Sequence, residues 1–299
     1  MFNKEKPVEL IIDREKCRRC GACTNECISY LTLDNEGFPC PKANDDCWFG
    51  CIQCGHCMMI CPNNAIEIKG EDIGKENLRD FDMDSPRFIS LNSLFLKRRS
   101  IRKYKKQAIP RATIDKIIDA SATAAVSIPP SEVKVLVING EEKVQEFADD
   151  IIDALKSLVK FMNPFMLAIL RPFVGKATYK MFKDFVLPLS KELIEHKGNG
   201  LDYLFYNAPA VMIFYTSELS DKEDSLIAAT HATLAVEALG LGSCYIGSVG
   251  AVLQMNKKLR KKYGILDGEK LGTAFILGYP DVTYNRGFQR HFNDVRVLC

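Results

Sequence analysis

Eight of the chain's twelve cysteines fall into two copies of one pattern. Cys17, Cys20, Cys23 and Cys27 recur 34 residues later as Cys51, Cys54, Cys57 and Cys61, each set spaced C-x2-C-x2-C-x3-C. That spacing suits a cube-like iron–sulfur core, which needs four thiolates at its corners. Three cysteines two residues apart wrap one cluster through a tight loop, and the fourth reaches across to the other cluster. One [4Fe–4S] cluster therefore takes Cys17, Cys20, Cys23 and Cys61, and a second takes Cys27, Cys51, Cys54 and Cys57. Gly21 and Gly55 hold matching places in the two loops, where a missing Cβ lets backbone N–H groups approach sulfide. Structural zinc is the plainer alternative, but it needs four ligands per ion and leaves the third in-line cysteine of each run redundant. Cys40 and Cys47 lie outside the pattern and read as free thiols, Cys47 being at most a substitute ligand.

A second concentration of chemistry is basic. Lys97–Lys106 holds seven Lys or Arg in ten residues. Arg98, Arg99 and Arg102 flank Ser100, a set of guanidinium forks and a hydroxyl suited to gripping a phosphate. A solvated charge run or a nucleic-acid patch would show the same excess of charge. The run is short, however, and carries no interleaved aromatic residues for base stacking.

Elements to position these groups can be read on either side of them. Val8–Ile12 and Ala65–Ile68 are short apolar runs that read as strands flanking the cysteine repeat. Such a small module buries little core, so its clusters would act as staples. Residues 70–86 are polar, acidic and closed by Pro86, which marks a linker. Beyond it, Arg111–Ala125 has helical periodicity through Ile114, Ile117, Ile118 and Ser121. Val133–Ile138, Ala210–Tyr215 and Leu271–Leu277 read as strands, and Lys222–Leu239 as a long apolar helix closed by Gly240. Residues 156–193 are apolar, rich in Phe and Met, and fit no single pattern.

Composition sets outer bounds. The chain has 299 residues, 47% apolar and 26% charged, with a net charge of +2, which argues for neither a nucleic-acid nor a membrane partner. The average hides an asymmetry: residues 1–90 carry −5 and residues 91–299 carry +7. An acidic electron carrier followed by a basic phosphate-binding half would produce that split. The short polar start, Met1–Lys6, does not read as a signal peptide, and clustered thiols then point to metal ligands in a reducing cytoplasm. Phe161–Leu170 is too short an apolar stretch to span a bilayer.

Over residues 8–70 the chain resembles bacterial 2[4Fe–4S] ferredoxins, Pro62 after Cys61 completing their pattern and Ile28 after Cys27 departing from it. The string Arg98-Arg-Ser-Ile-Arg102 resembles the entry motif of the nitroreductase family of FMN enzymes. Asn207-Ala-Pro-Ala-Val-Met-Ile-Phe-Tyr215, the helix Ser225–Leu239, the loop Gly240-Leu-Gly-Ser-Cys-Tyr-Ile-Gly247, and Gly278-Tyr-Pro280 with Arg286 and Arg290 continue the likeness in order. The resemblance implies an α+β fold, a ferredoxin-like module (1–70), a linker (71–90) and an FMN domain (91–299) with a mixed sheet flanked by helices. It also implies a homodimer. Arg98, Arg99, Ser100, Arg102, Arg286 and Arg290 would hold the flavin phosphate and ribityl chain. Ser243, Cys244, Tyr245, Ile246 and Gly247 would lie against the ring. Where the family has a Pro-Ser-x-x-Asn-x-Gln-Pro-Trp stretch, Ala125–Glu132 lacks the amides, leaving Ser127 as the contact there.

Several of these residues also have plainer roles. Cys244 is a small buried apolar residue with no basic neighbour to activate it. Tyr245 packs on a ring, and His231 sits in the core. The stretch 161–186 reads as core, as a lid over the flavin or as an arm exchanged in a dimer, of which a lid or an arm is the favoured reading. The expected activity is FMN-dependent reduction of a nitroaromatic, quinone or activated alkene, with electrons relayed through the clusters from an external ferredoxin or flavodoxin. Direct reduction by NAD(P)H, with the clusters as outlet or store, is the second reading, although no G-x-G-x-x-G loop is present. A non-catalytic electron-transfer or redox-sensing protein is the third.

Overall fold

The structure, a computed structural model, describes all residues outside 1–6, 28–29, 44–49, 52, 71–72, 79–86, 128–131, 163–165, 167–174, 285–291, 293 and 299. The chain divides into two units, Met1–Ser85 with Val126–Glu132, and Pro86–Ala125 with Val133–Cys299.

The first unit runs β1 (Glu9–Ile12), α1 (Ala22–Glu26), β2 (Leu31–Leu33), β3 (Pro39–Pro41), α2 (His56–Met59) and β4 (Ile66–Lys69). The expected flanking strands β1 and β4 pair antiparallel, Glu9 opposite Lys69 and Ile12 opposite Ile66. On β4 the alternation puts Ile66 and Ile68 inward and leaves Lys69 exposed. With Leu31, Cys57, Met58 and Ile73 they form a small core. Ile73 is buried and Leu78 packs against that core, so the module continues past residue 70, where the sequence suggested that a linker begins. The β2–β3 hairpin was not evident in the sequence, because three-residue strands leave too little alternation to see.

The second unit contains α3 (Arg87–Lys97), α4 (Arg111–Ala122), β5 (Val133–Asn139), α5 (Glu141–Phe161), α6 (Leu187–Gly198), β6 (Ala210–Thr216), α7 (Lys222–Ala238), β7 (Gly242–Tyr245), α8 (Gly247–Met255), α9 (Lys257–Lys262) and β8 (Lys270–Gly278). Its sheet has the order β5-β6-β8-β7, every named pair antiparallel. A parallel bridge from Ser100 to Ser243 adds the mixed character.

β6 shows why the sheet is the middle layer. Val211 and Ile213 belong to a core shared with α5, α6, α8 and α9. Ala210, Met212 and Phe214 belong to the opposite core, shared with α4 and α7. Period-two alternation thus divides an unbroken apolar run between two buried faces. α5 resolves part of the unassigned stretch. Val144, Phe147, Ala148, Ile151, Ile152 and Leu155 form one buried stripe at helical spacing, with Glu141 and Glu142 placed favourably in its first turn. α7 buries mostly small residues, Ser225, Ala228, Ala229 and Ala232 among them, so it approaches the sheet closely.

Candidate functional sites

The two cysteine loops share one backbone. Arg19 and Gln53 both take left-handed φ values, 54° and 56°, as do Gly21 and Gly55 at 71° and 73°. The glycines adopt this conformation without a Cβ penalty, whereas the arginine and glutamine are held in it at some cost. Left-handed steps beside ordinary ones turn successive N–H groups toward one side, a concavity that suits an anionic cluster. The sulfur contacts repeat too. Cys27 Sγ accepts from the Leu31 N–H at 3.4 Å, and Cys61 Sγ accepts from the Ala65 N–H at 3.2 Å. Tyr30 N–H adds a second donor to Cys27 at 3.4 Å.

A cavity in the first loop is lined by Cys17, Cys20, Cys23 and Cys61, three cysteines of one run and the last of the other. The second crossed set is marked electrostatically. Burial, and then the neighbouring thiols of Cys27, Cys51 and Cys54, push the Cys57 thiol up to about 12. Four thiols so arranged resist ionising together unless a cation sits among them, a charge that iron would supply. Among the described residues no group of three His, Cys, Asp or Glu side chains converges as a single ion requires. Thiols that ring a space fit a cluster better than a lone zinc. Cys40 lies on β3, outside both sets, and Cys47 lies outside the described residues.

The basic motif docks on the edge of the second unit's sheet. Ile101 N–H donates to Ser243 O at 2.9 Å, Lys105 N–H to Tyr279 O at 2.9 Å, and Asp281 N–H to Lys103 O at 2.9 Å. The approach needs Gly242: a Cβ there would meet Ile101 Cγ1 at 2.5 Å and its Cβ at 2.8 Å. Tyr104 fixes the segment from within, its hydroxyl donating to Ile101 O at 2.7 Å. Burial foremost, with the Cys244 thiol second, pushes the Tyr104 hydroxyl above the usual tyrosine range. Arg98, Arg99, Ser100 and Arg102 are thereby brought alongside Ser243–Gly247.

Among the described residues Arg98, Arg99 and Arg102 form no ion pair, whereas Lys97 just before them is bound to Glu237 at 3.5 Å. Unpaired guanidinium groups beside a hydroxyl fit a dianionic phosphate. Arg102 also lines a cleft of about 480 Å³ with Tyr104, Tyr206 and Asn207, its guanidinium 5.9 Å from the centre of the Tyr206 ring. Tyr206 and Asn207 are consecutive left-handed residues, φ 54° and 53°. Asp202 holds that turn by accepting from the N–H groups of Leu204, Phe205 and Asn207. Tyr206 was missed in the sequence. Asn207-Ala-Pro was its only signal, asparagine being the non-glycine residue that tolerates such a turn.

Other expected residues fall as follows. Ser243, Cys244 and Ile246 are buried, Tyr245 and Gly247 exposed. Cys244 is part of the core, and Tyr245 meets Phe275 edge-on at 5.8 Å. His231 is only half-buried on α7. Ser127 is exposed and falls with the first unit in the division of the chain, not with the residues gathered at the sheet edge. Arg286 and Arg290 lie outside the described residues.

Residues 50–67 match the 4Fe-4S binding domain model. The chain is similar to an FMN reductase (NADPH) of Bacillus subtilis, 25% identical over 204 residues, 64% of this chain and 72% of that protein. A nitroreductase of Bacteroides fragilis, solved with bound FMN, shares the fold at 18% identity, covering 70% of this chain and 98% of that one, TM-score 0.52. A Desulfitobacterium hafniense nitroreductase, also with bound FMN, covers 69% and 97% at 17% identity, TM-score 0.47. The Nitroreductase family model matches residues 96–279, from the helix end that carries the basic motif to the close of β8, and on that match the chain belongs to the nitroreductase family.

Proposed function

We propose that this FMN-dependent oxidoreductase reduces a nitroaromatic, a quinone or an activated alkene with electrons relayed through two [4Fe–4S] clusters. The observation that carries the reading is the Ser100–Ser243 bridge, which sets three unpaired arginines and a serine beside the Ser243–Gly247 backbone. Arg98, Arg99 and Ser100 would hold the phosphate, and Arg102 the ribityl chain or the ring's polar edge. The backbone of residues 243–247 would support the ring. When bound, FMN supplies N5, which passes two electrons as hydride or singly. The buried side chains of Ser243, Cys244 and Ile246 close one side of that edge, and Tyr245 stays exposed beside it.

In this reading the ferredoxin-like carrier extends past residue 70 to include Ile73 and Leu78, and residues 91–299 are the flavin domain. An external ferredoxin or flavodoxin supplies single electrons, in a reducing cytoplasm that keeps the thiols free. No helix among the described residues is long and apolar enough to cross a membrane. A second copy of the chain would cover α3, where Phe88 and Ile89 are 78% and 74% exposed. The Bacillus subtilis relative, named for NADPH, favours a second reading in which NADPH reduces the flavin directly.

Anaerobic stopped-flow mixing of the holoprotein with reduced ferredoxin, NADH or NADPH, followed at the flavin absorbance, separates these readings. Fast reduction by ferredoxin and slow reduction by both nucleotides is the expected outcome, with re-oxidation on adding a nitroaromatic or quinone. Protein that takes up no flavin from excess FMN would end the proposal.

A further inference from the structure

The two cysteine loops share their cysteines and a glycine and differ in the residues between, among them the pair that follows each first cysteine. Between its first two cysteines the first loop has Arg18 and Arg19, where the second has Ile52 and Gln53. Arg18 and Arg19 line the cavity ringed by Cys17, Cys20, Cys23 and Cys61. Other cations nearby are already matched by carboxylates: Arg14 with Glu36 at 2.8 Å and Asp34 at 3.7 Å, and Lys16 with Asp13 at 2.8 Å. Arg18 and Arg19 form no ion pair among the described residues. Arg19 is also held in place. Its guanidinium lies 4.6 Å from the centre of the Phe38 ring, and its stem passes Gly37 so closely that a Cβ there would sit 3.6 Å from Arg19 Cδ. At the matching position Gln53 has the same left-handed backbone, carries no charge, and buries its Oε1 with no hydrogen-bond donor among the described residues.

We infer that Arg18 and Arg19 set the two clusters at different reduction potentials, so that the first electron to enter the module settles on the cluster held by Cys17, Cys20, Cys23 and Cys61. The inference rests on the two-cluster reading above. A [4Fe–4S] core with four thiolates is already anionic, and one-electron reduction adds one more negative charge. Unpaired cations beside it stabilise the reduced form, and net charge near a cluster is among the factors that set its potential. One charge roughly 10 Å away, at an effective dielectric near 20, changes electron affinity by about tenfold. For one electron, tenfold corresponds to ~59 mV. The arginines are positioning residues. They ligate nothing, and they act through the field at the cluster.

The test is an anaerobic potentiometric titration of the full chain followed by EPR, run at pH 8.5 to keep histidine charge out of the comparison. Wild-type protein should show two separated one-electron steps, and Cys61→Ser should alter the signal of the step at higher potential. Arg18→Gln/Arg19→Gln should lower that step by about tenfold or more in electron affinity, ~59 mV or more, and leave the other in place. Arg18→Lys/Arg19→Lys, which keeps the charge, should restore the wild-type value, a rescue that a purely structural role for the guanidinium groups would not give. Iron and sulfide are counted in each preparation, which separates failure of this inference from failure of the reading beneath it. Too little iron for two clusters in wild-type protein removes that reading. Full iron with coincident steps, or with steps the double glutamine variant does not move, overturns the inference alone. Should the glutamine variant lose iron, raised ionic strength serves instead: salt screens exposed charge, so the gap between the steps should narrow in wild-type protein. A gap indifferent to salt counts against the arginines.

Discussion

A guanidinium group without a carboxylate is informative because it is costly to hold beside others of its kind. Arg98, Arg99 and Arg102 stand in that condition within five residues, next to a serine and on a backbone fixed by hydrogen bonds to β7 and to the end of β8. Removing one partner of a charge-assisted bond costs roughly 1.5–3 kcal/mol. Arg102→Ala should therefore weaken FMN binding by about one to two orders of magnitude. Fluorescence titration of apoprotein checks this, and an unchanged affinity in the Arg98→Ala/Arg102→Ala protein would contradict the assignment. Tyr104 bears on the same segment through pH. Because burial raises its hydroxyl above the ordinary range, the folded protein holds that proton more tightly than the unfolded chain does. The stability it contributes is complete below about pH 10 and is lost as pH climbs further. Denaturant melts between pH 9 and 11 should show wild-type stability falling more steeply than that of Tyr104→Phe. Parallel slopes would mean that the hydroxyl is not shielded as described.

At the scale of elements, the placement of the flavin edge turns on how near one strand segment comes to another. Gly242 opens β7, and Ile101 occupies the space its side chain would fill. Gly242→Ala must displace the buried Ile101, an overpacking that typically costs about 1–3 kcal/mol. The expected result is a lower melting temperature together with FMN affinity reduced at least as much as in Arg102→Ala, since the whole basic segment would shift. Normal FMN affinity in a folded Gly242→Ala protein would show that the segment's docking does not organise the site. This dependence was only half legible in the sequence. The run from Gly240 to Gly247 was visible as a loop, but four residues of it are a strand, too short and too small-chained to show alternation. Strands β5, β6 and β8 were legible because burial on both faces demands continuous β-branched and aromatic runs. α5 was not read in the sequence, because its apolar stripe runs into a longer apolar stretch with no capping residue between them. The cysteine repeat was visible in the sequence, since such spacing is a local pattern that no distant contact can alter. The left-handed turn at Tyr206–Asn207 was not, because Asp202, five residues before Asn207, holds it through side-chain contacts that leave no periodic trace.

Across the whole molecule the two units draw on very different amounts of core. The first buries Leu31, Cys57, Met58, Ile66, Ile68 and Ile73, with partly buried residues such as Leu10, Ile12 and Tyr30 packed around them. The second has two extensive cores on either face of its sheet. A module with so little buried apolar surface is marginal without a staple, and metal binding then becomes part of its folding free energy. About eight irons and eight sulfides per chain are expected in anaerobically prepared protein. Stripping them with a chelator and an oxidant should unfold the first unit while leaving the second folded. Hydrogen exchange followed by mass spectrometry can resolve this along the full chain. Amides of β1 and β4 should lose protection, whereas those of β5, β6 and β8 keep it, and the FMN dissociation constant should change by less than about twofold. Two results would contradict this account. Zinc in place of iron would remove the staple as described, and β1–β4 protection that survives the loss of iron would show that the small core suffices alone.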